Sequence, residues 1–382
     1  MSDSDSISAA IPNKFEEFGV SYLKKLKTKY SGISSDTLSD DEMNSKIRNI
    51  TWMAAFWSGL TGFMSAFLSV YATVHFFVNA SPLISYSWMA LTTTITACAE
   101  IYLLFLIALN AVYKIADLTD ITFSTDEEGK KQFPFSIEKI LSRTALELSD
   151  PESKVLGIDA FKMIPKYKLM LIGLLYKAKV VLSNVILRAF LKRIFGRSIM
   201  RVSIAYIAAP VTALWNAIVL YLTAMEARLR IFGYVLSHHV ANNLVHDEFL
   251  SKLSPDARIG CIRAVANAVV LTQNYHPNMM VLLFRLKDLL KIEQPDHFDD
   301  WEVFMETLDK VSEQERCLLL DILTIAAAFD GKISRQEKKF LRIAYKEHFD
   351  VYYTRLKKLT ELLKQGRLHE SLNLCKVDFN LG

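Results

Sequence analysis

Thr51–Ala99 reads TWMAAFWSGLTGFMSAFLSVYATVHFFVNASPLISYSWMALTTTITACA and contains no Asp, Glu, Lys or Arg. Forty-nine residues without a formal charge are too many for one buried helix. A helix rises about 1.5 Å per residue, so roughly 20 apolar residues cross a bilayer core. The run plus Glu100–Val112 therefore suits two crossings, with the turn-forming cluster Asn79-Ala80-Ser81-Pro82 between them. The reading is a transmembrane helical hairpin, Thr51–Val78 down and Leu83–Val112 back, in an all-α membrane protein.

Composition agrees with that class. The chain has 382 residues, 51% of them hydrophobic, which leaves room for two or three units with part of the chain in lipid. A net charge of +4 is too balanced for a nucleic-acid binder without a local patch, so nucleic acid is not an expected partner. Cys98, Cys261, Cys317 and Cys375 lie far apart with no C-x-x-C, which argues against zinc or a disulfide framework and suits a reducing cytoplasm for the last three. The first fifty residues are polar and charged, so no cleavable signal peptide is expected. The turn from Asn79 to Ser85 has no Lys or Arg, whereas Lys46 and Arg48 precede the first span and Lys114 closes the second. That bias places both ends of the hairpin in the cytoplasm, and a bacterial inner membrane is the expected location.

The hairpin carries two further signals. Ala54, Ser58, Gly62 and Ala66 recur every four residues, with Ser65 and Ser69 alongside. Such a stripe lets helix backbones approach closely; it serves packing of the hairpin against itself or, alternatively, a homo-oligomer. Glu100 falls near the middle of the second span. Folding the hairpin about residue 81 sets it opposite residue 62, with Thr61 and Ser65 as expected hydrogen-bond donors. A carboxyl at that depth is either a satisfied buried contact or a proton or ion relay.

Five segments follow. Residues 1–50 are an N-terminal cytoplasmic segment, disordered over 1–12 and then an amphipathic helix, Asn13–Lys29. Phe15, Phe18, Tyr22 and Leu26 give that helix its spacing, suited to an anionic leaflet or to solvent. Residues 51–113 form the hairpin and 114–165 a connector, loop-like from Asp117 to Asp150, with Asp150-Pro151-Glu152 as a helix start. In 166–250 two segments associate with the membrane. Tyr167–Phe195 is apolar but interrupted by Lys177, Lys179, Arg188, Lys192 and Arg193, which suits a surface helix. Val202–Met225 is uncharged but holds Pro210 and Asn216, with Arg197 and Arg201 before it and Arg228 and Arg230 after. An embedded or interfacial hairpin with 167–195 is preferred to a third crossing, which would place the C-terminal region outside.

From about Ser251 the chain becomes amphipathic and helical. Its centre, Leu318–Leu341, reads LLLDILTIAAAFDGKISRQEKKFL. Gly331 suits a left-handed helix end, and Ser334 with Glu337 forms an S-x-x-E capping box for the next helix. Asp330-Gly331-x-Ile333-x-x-x-Glu337 also matches the second half of an EF-hand loop. Ala326 and Ala328 stand where its first carboxylates belong, which excludes an EF-hand. The stretch resembles the TerB-like helical domain of bacterial tellurite-resistance proteins, through Ala326, Ala327, Asp330, Gly331, Ile333, Ser334 and Glu337. The resemblance covers about residues 251–375 and implies a second helix pair related by a pseudo-twofold. Ala268–Leu283 overlays the motif without a gap, setting Gln273 on the Asp, Asn274 on the left-handed Gly and Met280 on the Glu. If the family's paired acidic motifs bind metal, this chain keeps Asp330 and Glu337 alone, so no cofactor is expected and a divalent cation is the alternative.

Thinner signals are His238-His239 and His246-Asp247-Glu248, read as solvated or capping groups. No phosphate loop, nucleophile elbow or zincin motif occurs, and an enzyme is not expected. The resemblance and the hairpin together imply a membrane-anchored interaction or stress-sensing module with a cytoplasmic protein partner. The alternative is an oligomeric transporter or channel subunit that uses Glu100.

Overall fold

The computed structural model describes residues 14–30, 38–76, 82–119, 136–148, 158–160, 162, 203–244, 253–292 and 298–375. Residues 1–12, the turn residues Asn79-Ala80-Ser81, Asp150-Pro151-Glu152, the 167–195 segment and His246-Asp247-Glu248 lie outside them. The described residues are helical, with no strand among them. In chain order the helices are α1 (Lys14–Tyr30), α2 (Asp40–Phe76), α3 (Pro82–Asp117), α4 (Ile137–Ala145) and α5 (Ser203–Leu244). The rest are α6 (Pro255–Thr272), α7 (Pro277–Leu290), α8 (Trp301–Lys310), α9 (Glu313–Ala328), α10 (Arg335–Tyr345), α11 (Phe349–Gln365) and α12 (Leu368–Leu374). Two compact units divide them: Arg48–Val112 with Ile164–Met225, and Met1–Ile47 with Tyr113–Met163 and Glu226–Gly382.

Asp40–Ala72 and Ala90–Asp117, most of whose residues fall in the first of these, are long and apolar enough to cross a membrane. Only 28% and 22% of their most apolar windows are buried, the reverse of a soluble protein's core helix. Trp52, Phe56, Trp57, Leu91, Ile95 and Ile101 stand exposed. The two helices are joined by hydroxyls: Ser65 donates to the Thr96 carbonyl at 3.3 Å, and Ser69 meets Thr93 at 3.2 Å. The small-residue stripe divides its work. Ser65 and Ser69 face α3, but Ser58, Gly59 and Gly62 face α5, which corrects the expectation that the stripe packs the hairpin against itself. A Cβ on Gly59 would lie 3.1 Å from the Ala213 carbonyl oxygen, and Ser58 donates to the Asn216 carbonyl at 3.0 Å. Ala54 is buried with Ser58 and Gly62, and Ala66 is half-buried. Close approach of two backbones is what small residues permit.

The second unit is built on α6 and α9, which pack face to face. Gly260 makes this contact tight, since a Cβ there would come within 2.6 Å of Leu319 Cδ1. Side-chain oxygens start the helices. Ser254 caps α6 and Asp300 caps α8, while Ser312 with Glu315 forms a capping box on α9. Glu315 also accepts the Ser254 N–H at 2.7 Å, so one carboxylate serves two helix starts. Asp321 pairs with Arg355, which also donates to the Leu374 carbonyl and so ties α9, α11 and α12 together.

Two expectations change in this unit. α1 lies on neither lipid nor solvent alone: it docks on α4 through Glu16 and Gly19, with Leu23 and Leu26 buried and Phe15 exposed. Glu16 pairs with Arg143 at 2.5 Å and gives its carbonyl to Ser142, while Gly19 clears space for the Ser142 side chain. And the connector is not all loop, because Ile137, Ile140, Leu141 and Ala145 give α4 a buried helical face. The four cysteines are free thiols, with Cys261 and Cys375 buried.

Candidate functional site

Within the unit that holds the two long apolar helices, Glu100 receives a 2.6 Å hydrogen bond from Asn216 Nδ2 of α5. Asn216 lies directly over Gly62, where a Cβ would fall 2.4 Å from its amide nitrogen. The anticipated neighbourhood of residue 62 is therefore present, but the donors are corrected. Thr61 gives its hydroxyl to the Trp57 carbonyl at 2.9 Å and Ser65 gives its own to Thr96. A threonine hydroxyl has one proton to donate, and four residues past a carbonyl on the same helix it finds an acceptor locally. The signal for the true partner was in the sequence: Asn216 is the lone amide in the Val202–Met225 run, as Glu100 is the lone acid of the second span.

The second site lies where two helix corners meet the later part of α5, all within the other unit. α9 ends at Ala328, Phe329 and Asp330 turn, and Gly331 takes φ of +70°. Ser334 and Glu337 then form the anticipated capping box. The other corner runs from Thr272 to Pro277. Its left-handed residue is Gln273 (φ 55°), not Asn274, because the connection is shorter and Pro277 opens the next helix. The strain of a non-glycine residue there, about 1–2 kcal/mol, is offset in part by the Gln273 amide, which bonds Gln336 at 2.9 Å. Met280, set on the Glu by the overlay, is wholly buried.

Asn278, fully buried, joins these elements. Its Nδ2 donates to the Leu229 carbonyl of α5 at 3.1 Å and to the Phe329 carbonyl at 3.3 Å, and its main-chain carbonyl accepts from Ser237 at 3.0 Å. Gly233 makes room: a Cβ on it would lie 1.9 Å from the Asn278 amide nitrogen. Leu229 also covers Gly331, with Cδ2 at 3.2 Å from where a Cβ would stand. Arg228 and Arg230, read from sequence as charges flanking a span, are buried here. Arg228 bonds Asn44 and the Lys364 carbonyl, and Arg230 donates to Glu226 at 2.8 Å.

Charges gather at the same place. Burial pushes the Glu226 carboxyl up, but His276, 3.7 Å away, and Arg230 outweigh it and hold the group down to about 2. Burial raises Asp330, whose Oδ1 accepts the Lys332 N–H at 2.8 Å. Burial also carries Glu337 up to about 7, and the Asp330 charge adds to this. Glu337 Oε2 accepts the Ser334 N–H at 2.6 Å, whereas Oε1 is buried without a hydrogen-bond partner. As cation donors, Asp330 and Glu337 each have one oxygen committed to a main-chain N–H. Among the described residues no three His, Cys, Asp or Glu side chains converge on a metal position. Hard cations take six to eight oxygens, so this pair alone fits a divalent ion poorly. No protein-family model, curated protein or solved structure matches the chain.

Proposed function

We propose that this chain is a membrane-anchored interaction or stress-sensing module that presents a TerB-like helical domain to the bacterial cytoplasm. The observation that carries the reading is the pair of long apolar helices, Asp40–Ala72 and Ala90–Asp117, in a chain that also holds a second compact helical unit. Glu100 accepts from Asn216, and a lone hydrogen-bonded carboxyl is suited to lock packing. The packed pair Pro255–Thr272 and Pro277–Leu290, and the Ser334–Glu337 box that opens Arg335–Tyr345, support the TerB-like reading.

The competing transport reading assigns Glu100 to proton or ion movement. Proteoliposomes containing the full chain and a trapped pH-sensitive dye separate the two. The scaffold reading expects the same passive proton leak from wild type and Glu100→Gln. A flux in wild type that the substitution abolishes, with folding intact, overturns it.

A further inference from the structure

The exposed face of α10 carries a concentration of positive charge that neither site uses. Arg335, Lys338, Lys339 and Arg342 are all exposed, and the sole acid between Lys332 and Lys346 is the buried Glu337. Among the described residues no carboxylate pairs with any of these four cations. Their contacts are with rings: Lys338 lies 4.9 Å from the centre of Tyr353, and Arg342 lies 4.8 Å from that of Phe349. Lys357 of α11 approaches the same Tyr353 ring at 5.7 Å, so the positive face continues onto the next helix. Ile343, next to Arg342 on the same helix, is 49% exposed. Exposed Glu347 and Asp350 bound the patch at the start of α11.

We infer that this face docks on a phospholipid surface rich in anionic headgroups. The chain is nearly balanced at +4, so the local run is a feature of this helix and not a general basicity. Basic side chains flanked by an exposed aliphatic one suit an interface with charge outside and hydrocarbon beneath. A nucleic-acid surface would match the charge but offer nothing to Ile343. The proposal takes from the membrane-anchored reading only the nearness of a bilayer, which raises the effective concentration of a weak surface contact.

The test holds the full chain in phosphatidylcholine nanodiscs and adds phosphatidylglycerol vesicles. Capture of the discs on floated vesicles is measured against salt. Each basic group near an anionic surface contributes about fivefold in affinity, so Lys338→Gln with Lys339→Gln and Arg342→Gln should weaken capture on the order of a hundredfold. Raised salt should do the same, while Lys24→Gln with Lys25→Gln on α1 should not. Thermal unfolding checks that each variant is folded, and a single Lys339→Gln variant gives a graded loss where the triple one is unstable. Equal capture by phosphatidylcholine vesicles, capture indifferent to the α10 substitutions, or retention of RNA without retention by vesicles would each overturn the proposal. Incorporation of wild type into the discs reports anchorage separately, so failure of docking and failure of the anchor are distinguishable.

Discussion

Gly233 has no side chain because Asn278 fills that place, and the two residues make a sharp mutational pair. Gly233→Ala puts a methyl group 1.9 Å from the Asn278 amide, so overpacking should destabilise the protein by about 1–3 kcal/mol. Chemical unfolding of the full chain in detergent measures this, and Asn278→Ala in the same chain should restore part of the loss. A fully additive pair would show that the steric account is wrong. Glu337 and Glu226 give opposite signatures with pH. A carboxyl raised to about 7 contributes stability that is present below its ordinary value of 4.5 and lost as pH rises through 7. The Glu226 carboxyl, lowered to about 2, contributes above 4.5, and its share disappears as pH falls through 2. Glu337→Gln should therefore flatten the thermal-stability profile between pH 4.5 and 7 and leave the acid limb in place. As helix punctuation, Glu337→Ala should cost on the order of 1 kcal/mol, and calcium, zinc or a chelator should not move the wild-type melting temperature. A metal-dependent rise abolished by Asp330→Ala would make the corner a cation site instead.

Among the helices, local punctuation was readable and partnership was not. The S-x-x-E box at Ser334 and the left-handed Gly331 follow from residue chemistry within one turn, so sequence specifies them directly. The stripe Ser58 and Gly62 announced close packing but not its partner, because small residues permit any helix to approach. α5 took that place, and Asn216, a lone amide on a different segment, became the donor that Thr61 and Ser65 were expected to be. The face of α1 was misjudged for a related reason. Of the spacing Phe15, Phe18, Tyr22 and Leu26, Leu26 is buried and Phe15 exposed, while docking on α4 uses Glu16 and Gly19, a salt bridge and a gap that periodicity of apolar residues does not register. The α5 packing has a direct consequence. Gly62→Val should displace Asn216, and Asn216→Leu should leave Glu100 without its donor. Each should lower stability in detergent by about 1–2 kcal/mol, read as a fall in melting temperature. If Asn216→Leu stabilises the chain while Glu100→Gln has no effect, the hydrogen bond is not what holds α5.

The chain combines two helices long and apolar enough to cross a membrane with a helical unit whose core is built of buried aliphatic and aromatic side chains. The first property was plain from Thr51–Ala99, since an uncharged run of that length has few other physical explanations. The burial of Arg228 and Arg230 was not, because a charge following an apolar run looks the same whether it anchors a span or enters a folded unit. Orientation is the point on which the functional reading turns, for a helical domain that recruits cytoplasmic partners must lie in the cytoplasm. A pair of fusions to the C-terminus, one to a fluorescent protein that matures only in the cytoplasm and one to a phosphatase active only outside it, measures this in intact bacterial cells. The account predicts a fluorescent, carbonate-resistant membrane fraction and an inactive phosphatase; an active phosphatase with no fluorescence would contradict it and make Val202–Met225 a third crossing.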